Sequence, residues 1–163
     1  MRMGQGFDAH RFSPERLLVL GGVTIDHPQG LVGDSDGDVL THAIIDALLG
    51  ALTLGDIGTW FRAADPGVMG ARSLDLLTRV VHMVHERSFV VVHIDATVVG
   101  EEPKVRPHVP QMRTILAQVL AVPDSEISIK GTTTDRMGWL GRGEGIAALA
   151  LAQLEGNSGL GIG

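Results

Sequence analysis

The chain has 163 residues, among them 22 Gly, four Phe and two Trp but no Cys and no Tyr, and 13 Lys and Arg against 19 Asp and Glu give a net charge of −6. That length suits one domain with a core of Val, Leu, Ile and Ala, and excludes a large two-domain enzyme. The acid excess argues against a general nucleic-acid binder, and the missing Cys removes disulfides, thiolate zinc clusters and cysteine nucleophiles.

The glycines follow no period, which excludes collagen, and a hydrophobic fraction of 44% excludes disorder. No internal repeat or low-complexity linker divides the sequence, so residues 1–163 are expected to form a single domain, with 158–163 as a frayed tail. The longest fully apolar run, Ile146 to Ala152, is seven residues, too short to span a bilayer. No apolar stretch follows Met1-Arg2-Met3, so the expectation is a cytoplasmic protein with no membrane partner.

In chain order, Phe7-Asp8-Ala9-His10 reads as extended, and Leu17 to Ile25 as a strand interrupted by a glycine pair, either a bulge or a hairpin turn. Residues 36–51 form an expected helix. A second helix spans Ala71 to Arg87, with Leu74, Leu77, Val80, Val81 and Val84 on one face. Phe89 to Val99 alternates as a half-buried strand, with Val92, Ile94, Ala96 and Val98 pointing one way. Pro110 to Val122 predicts a third helix, stopped by Pro123, and Ile127 to Lys130 a short strand. Gly145 to Leu154 fits a helix or a strand, and its flanking glycines favour the strand. The expected fold is α/β, an α+β sandwich with one mainly four-stranded sheet and helices on one face.

The helix at 36–51 is apolar nearly all round, which predicts burial, yet Asp38, His42 and Asp46 form a polar stripe at i, i+4 and i+8. Such groups need partners when buried. Either His42 is a hydrogen-bonded core histidine or it ligates a metal with carboxylates close by. On an extended strand Asp8 and His10 share a face, so Asp8, His10 and His42 together offer O, N and N donors. Three protein ligands with a fourth position open is the pattern of a catalytic zinc.

Thr132-Thr133-Thr134-Asp135-Arg136, at a strand end before the glycine-rich 138–145, suits a phosphate cradle with a carboxylate for Mg²⁺, or else a solvated glycine-rich turn. It is neither a Walker A loop nor a dinucleotide fingerprint. Asp56-Ile57-Gly58 either hydrogen-bonds sugar hydroxyls or ends a helix.

GFDAH at 6–10, SDGDVLTHAIIDALLGA at 35–51, LGDIG at 54–58, EPKVRPHVPQMR at 102–113, TTT at 132–134 and GRGEGI at 141–146 stand in order along nearly the whole chain. Together they resemble the 2-C-methyl-D-erythritol 2,4-cyclodiphosphate synthases of the non-mevalonate isoprenoid pathway. The resemblance implies a homotrimeric lyase with sites between subunits. It would convert 4-diphosphocytidyl-2-C-methyl-D-erythritol 2-phosphate into the cyclic diphosphate and CMP. It implies Zn²⁺ on Asp8, His10 and His42, with Asp8, Ala9 and His10 also touching substrate, and Mg²⁺ or Mn²⁺ with the diphosphate near Asp135. Gly100, Pro103, Lys104, Val105, Arg106, Thr132, Thr133 and Thr134 would hold the cytidine diphosphate end. Ser35, Asp56, Ile57, Gly58, Phe61 and Asp65 would hold the methylerythritol phosphate, Trp139 and Arg142 would complete the pocket, and Asp34, Thr133 and Asp135 would take the catalytic positions.

The chain departs from the family pattern in three places. Asp34 stands where the family usually has His, Asp135 where it has Glu, and Phe61-Arg62-Ala63-Ala64-Asp65-Pro66 where it has F-P-D-T-D-P, with one carboxylate fewer. An anion at 34 beside a phosphate repels it unless a cation intervenes. Two alternatives stand beside cyclisation: a non-catalytic diverged trimer that binds zinc and a cytidine nucleotide, and a metal-dependent hydrolase.

Overall fold

A computed structural model describes residues 1–62, 65 and 67–156. Ala63 and the expected tail at 158–163 lie outside the described residues. Seven strands run β1 (Arg2–Ser13), β2 (Leu18–Leu20), β3 (Val23–Ile25), β4 (Gly30–Leu31), β5 (Phe89–Val99), β6 (Ile127–Thr132) and β7 (Gly145–Gly156). Five helices are α1 (Val39–Ala51), α2 (Ile57–Trp60), α3 (Ser73–Glu86), α4 (Val109–Leu120) and α5 (Gly138–Gly141). The main sheet has five strands in the order β4-β1-β7-β5-β6, so the expected four are extended by the two-residue β4 at the β1 edge. The glycine pair is a hairpin turn: Gly21 and Gly22 both have positive φ, +55° and +76°, which suits the tight turn joining β2 to β3.

Helix α1 packs across β1 and β7, α3 on α1 and β5, and α4 on α3 and β6. The close seat of α1 comes from glycine. Along β1, Gly4, Gly6, Asp8 and His10 share the face under the helix. A Cβ at Gly4 would lie 2.0 Å from the Ala47 carbonyl oxygen, and one at Gly6 would lie 2.0 Å from that of Ala43. The neighbouring strand continues this thin floor, with Ala148, Ala150 and Ala152 paired to Asp8, Gly6 and Gly4. Eleven of the thirteen α1 residues are buried, as an all-round apolar helix requires.

Two expectations are corrected. Helix α1 begins at Val39, not at Asp36: Gly37 has φ +77°, and Asp38 is the cap, its side chain accepting from Thr41 N. Asp38 therefore ends the stripe rather than extending it. On β5 a bulge between Val91 and His93 shifts the phase, so Val91, not Val92, is buried with Ile94, Ala96 and Val98. The strand reading of Gly145 to Leu154 holds, and β7 lies at the centre of the sheet. No helix among the described residues is long and apolar enough to cross a membrane.

The glycine floor predicts opposite effects for two alanine substitutions. Gly6→Ala should cost about 3 kcal/mol or more in urea unfolding, because backbone rather than a flexible side chain meets the new methyl. Gly50→Ala, inside α1 with nothing closer than 3.7 Å, should instead stabilise by up to about 1 kcal/mol.

Candidate functional site

Asp8 and His10 emerge from β1 opposite His42 on α1. The His10 Nε2 lies 2.7 Å from Asp8 Oδ2, His42 Nδ1 lies 3.0 Å from the same oxygen, and the two ring nitrogens are 3.2 Å apart. The far side of each ring is engaged. His10 Nδ1 donates to the Val32 carbonyl, which follows the edge strand β4. His42 Nε2 lies 2.9 Å from both Ser35 Oγ and Ser73 Oγ. Ser73 gives its own proton to Asp36, leaving its oxygen as an acceptor toward His42. Each ring thus turns its remaining nitrogen toward the Asp8 carboxylate, and one oxygen and two nitrogens converge within hydrogen-bond distance of one another. This is a donor set for a cation, and the three side chains are the metal-competent cluster among the described residues.

Burial disfavours an imidazolium at His10, but the Asp8 hydrogen bond and charge outweigh it and raise the pKa above the usual histidine value. Burial likewise pushes the Asp8 carboxyl up, while the hydrogen bonds and charges of His10 and His42 hold it well below the carboxylate range.

The other carboxylates of the expected stripe serve structure. Asp38, fully buried, accepts from Gly21 N, Gly22 N, Thr41 N and Thr41 Oγ1 and so fastens the β2–β3 turn to α1. Asp46 accepts from Ile57 N at 2.7 Å, and Asp56 accepts from Thr59 N and Oγ1, so two carboxylates grip the start of α2. Burial, with the charges of Asp56 and Asp8, raises the Asp46 pKa.

A cavity of about 500 Å³ opens beside the triad, and its walls include Asp34, Ser35, Ile57, Gly58 and Phe61. A second, also about 500 Å³, is lined by Gly100, Pro103, Lys104, Val105, Arg106, Thr132 and Thr133, and the two share no lining residue. Thr134 and Asp135 follow on the loop after β6. There Glu101 Oε1 accepts from Thr134 N, Thr134 Oγ1 and Arg136 N, and both Asp135 and Arg136 take positive φ. Arg142 pairs with Glu144 at 2.6 Å and lines a separate groove with Lys104. Ala9, Asp56, Asp65 and Trp139 line neither of the first two cavities; Trp139 is half exposed, and Asp65 accepts from Arg62 N. Ser73, Asp36 and Glu101 escape the sequence reading because each acts on a partner more than 30 residues away.

The YgbB family model matches residues 1–155. The 2-C-methyl-D-erythritol 2,4-cyclodiphosphate synthase of Thermosynechococcus vestitus is 52% identical over 155 residues, covering 95% of this chain and 96% of its own. The bifunctional IspDF of Campylobacter jejuni superposes with a TM-score of 0.91 at 39% identity, over 95% of this chain and 42% of that one. IspF of Plasmodium falciparum, solved as a CDP complex, superposes at 0.85 with 30% identity, over 96% and 97% of the two chains.

A proton on His10 Nε2 occupies the atom a metal needs. Divalent-metal affinity should therefore fall as pH is lowered, starting above about pH 6.5 because the His10 pKa is raised. Titration against a chromophoric chelator reads this directly. In the same assay Ser73→Ala should weaken the metal by about 10- to 100-fold through loss of the His42 orientation.

Proposed function

The chain belongs to the YgbB family, and we propose that it is a phosphorus–oxygen lyase acting as one catalytic domain. Its reaction would cyclise 4-diphosphocytidyl-2-C-methyl-D-erythritol 2-phosphate to 2-C-methyl-D-erythritol 2,4-cyclodiphosphate and release CMP. The observation that carries this reading is the Asp8, His10 and His42 donor set opening onto a cavity walled by Ser35, Ile57, Gly58 and Phe61.

The 2-phosphate is already ionised, so no strong general base is needed. One of its oxygens forms a bond to the β-phosphorus, and the bond from that phosphorus to the bridging oxygen breaks, so CMP leaves with the electron pair. The chain's task is to hold two anions together in line, which makes closure effectively unimolecular. Ser35, Ile57, Gly58 and Phe61 bound the methylerythritol end, and Asp56 stiffens it by capping α2. Gly100, Lys104, Val105, Thr132 and Thr133 bound the cytidine diphosphate end, and Glu101 fixes the loop that carries Thr134 and Asp135. Zn²⁺ on the triad, with Mg²⁺ or Mn²⁺ near Asp135, would neutralise phosphate oxygens and polarise the attacked phosphorus. Asp34 and Thr133 are assigned to the transfer end.

The same reading includes a homotrimer with sites between subunits. On the sheet face away from α1, Met3, Phe7 and Leu151 are 63%, 54% and 46% exposed, an apolar surface that assembly would cover. Division of the assigned residues between two cavities supports a site completed by a neighbouring subunit.

Phosphorus resonances of the cytidyl substrate incubated with the protein and Mg²⁺ test the activity. Cyclic diphosphate plus CMP is expected; unchanged substrate would favour the non-catalytic binder, and open-chain phosphates the hydrolase. His42→Ala should abolish turnover, and Asp34→His should raise it if the aspartate repels phosphate; an equal or lower rate would mean that the pocket has adapted to Asp34.

A further inference from the structure

The triad cavity is walled by two carboxylates, Asp8 and Asp34, and the Asp34 side chain is exposed with no hydrogen-bond partner among the described residues. A divalent cation on the triad offsets those two charges and leaves the wall close to neutral. A phosphate dianion brought into this cavity therefore needs a further cation. Arg62 is the one Lys or Arg among the described residues lining it.

Two other arginines nearby are already engaged: the Arg79 guanidinium lies 4.7 Å over the Phe61 ring, and Arg16 holds backbone carbonyls. The Arg16 Nη1 donates to the Gly33 carbonyl at 2.6 Å and its Nη2 to that of Ser35, so it clamps the backbone on either side of Asp34. Arg62 is held differently. Its backbone N–H donates to Asp65 Oδ2 at 3.3 Å, and its Nε sits 3.5 Å from the same oxygen. The two Nη groups have no protein partner among the described residues, and the side chain is 74% exposed. An ion pair this long and this exposed contributes little to stability, so it constrains the base of the side chain without consuming the guanidinium. A planar fork with two free ends matches two oxygens of a phosphate.

We propose that Arg62 binds the 2-phosphate of the substrate, reaching from the end of the α2 segment across the cavity mouth and offsetting the Asp34 carboxylate. This rests on the substrate assignment above. Arg62 follows Phe61 directly, so the residue that closes the apolar wall also places the cation at its rim. Asp65 keeps the stem aimed, and the phosphate takes the Nη atoms.

The test compares two ligands on the zinc-loaded protein by calorimetry: the phosphorylated substrate without added Mg²⁺, and the same cytidyl alcohol lacking the 2-phosphate. Arg62→Gln should weaken the phosphorylated ligand by tenfold or more and leave the unphosphorylated one within twofold. Arg62→Lys should recover part of the loss, since it keeps the charge but not the fork. Equal affinity of wild type and Arg62→Gln for the phosphorylated ligand would overturn the proposal, as would equal losses for both ligands. Steady-state turnover separates the two readings. If the wild type binds both ligands but never forms the cyclic product, the proposed reaction fails while the ligand comparison still decides Arg62.

Discussion

The distance between α1 and β1 controls the geometry of the Asp8, His10 and His42 cluster. Side chains on a sheet normally hold a helix away, and here two of them are missing. With Gly4 and Gly6 beneath it, the helix backbone rests on the strand backbone, and Ala148, Ala150 and Ala152 extend the low floor sideways. The same face of β1 then carries Asp8 and His10 one and two steps further along. His42, on the turn of α1 just before Ala43, therefore meets them within hydrogen-bond distance. A methyl on the glycine floor would disturb the site without touching any of its side chains. The glycine excess that stands out in the composition is partly spent here, in packing, as well as in loops.

Strand direction sets the rest. Both β1 and β5 run antiparallel to β7, and β6 runs parallel to β5, so β1, β5 and β6 all point the same way. Their carboxyl halves deliver His10, Gly100 and Thr132 to one end of the sheet; the segments after β5 and β6 line one cavity, and the segment after β4 with α2 walls the other. Gly100 N donates to the Thr132 carbonyl at 3.0 Å, tying together the origins of the two loops that line the second cavity.

The triad was legible because its information is local: Asp-x-His on a strand and a histidine on a helix too apolar to be exposed. The same reasoning misplaced Asp38, because i, i+4 spacing cannot distinguish the first turn of a helix from its cap. The β5 phase slipped for a comparable reason, since a bulge is a defect in pairing and an alternating sequence gives no sign of it. Ser73 and Asp36 were beyond reach. Their role depends on α3 starting where loop 34–38 passes, with Asp36 accepting from both Ser73 N and Ser73 Oγ. The TTT motif marks the loop after β6, but Glu101, which holds that loop, lies outside the motifs in register.

Most of the acid excess around the site is engaged by backbone. Asp38 is consumed by a turn and a cap, Asp36 by the start of α3, Asp46 and Asp56 by α2, and Glu101 by the loop at 134–136. Each of these carboxylates accepts backbone N–H groups, which stabilise its charge where it sits. The anions of this negative protein thus serve as the fasteners of its loops. Asp34 is different. Its backbone is held, with its carbonyl accepting from Gly70 N at 2.7 Å, but its carboxylate faces the cavity unmatched among the described residues. The pinned backbone keeps this carboxylate at the cavity wall. Charge balance at this wall then falls to cations that line or enter the cavity, and Arg62 is the one Lys or Arg lining it among the described residues.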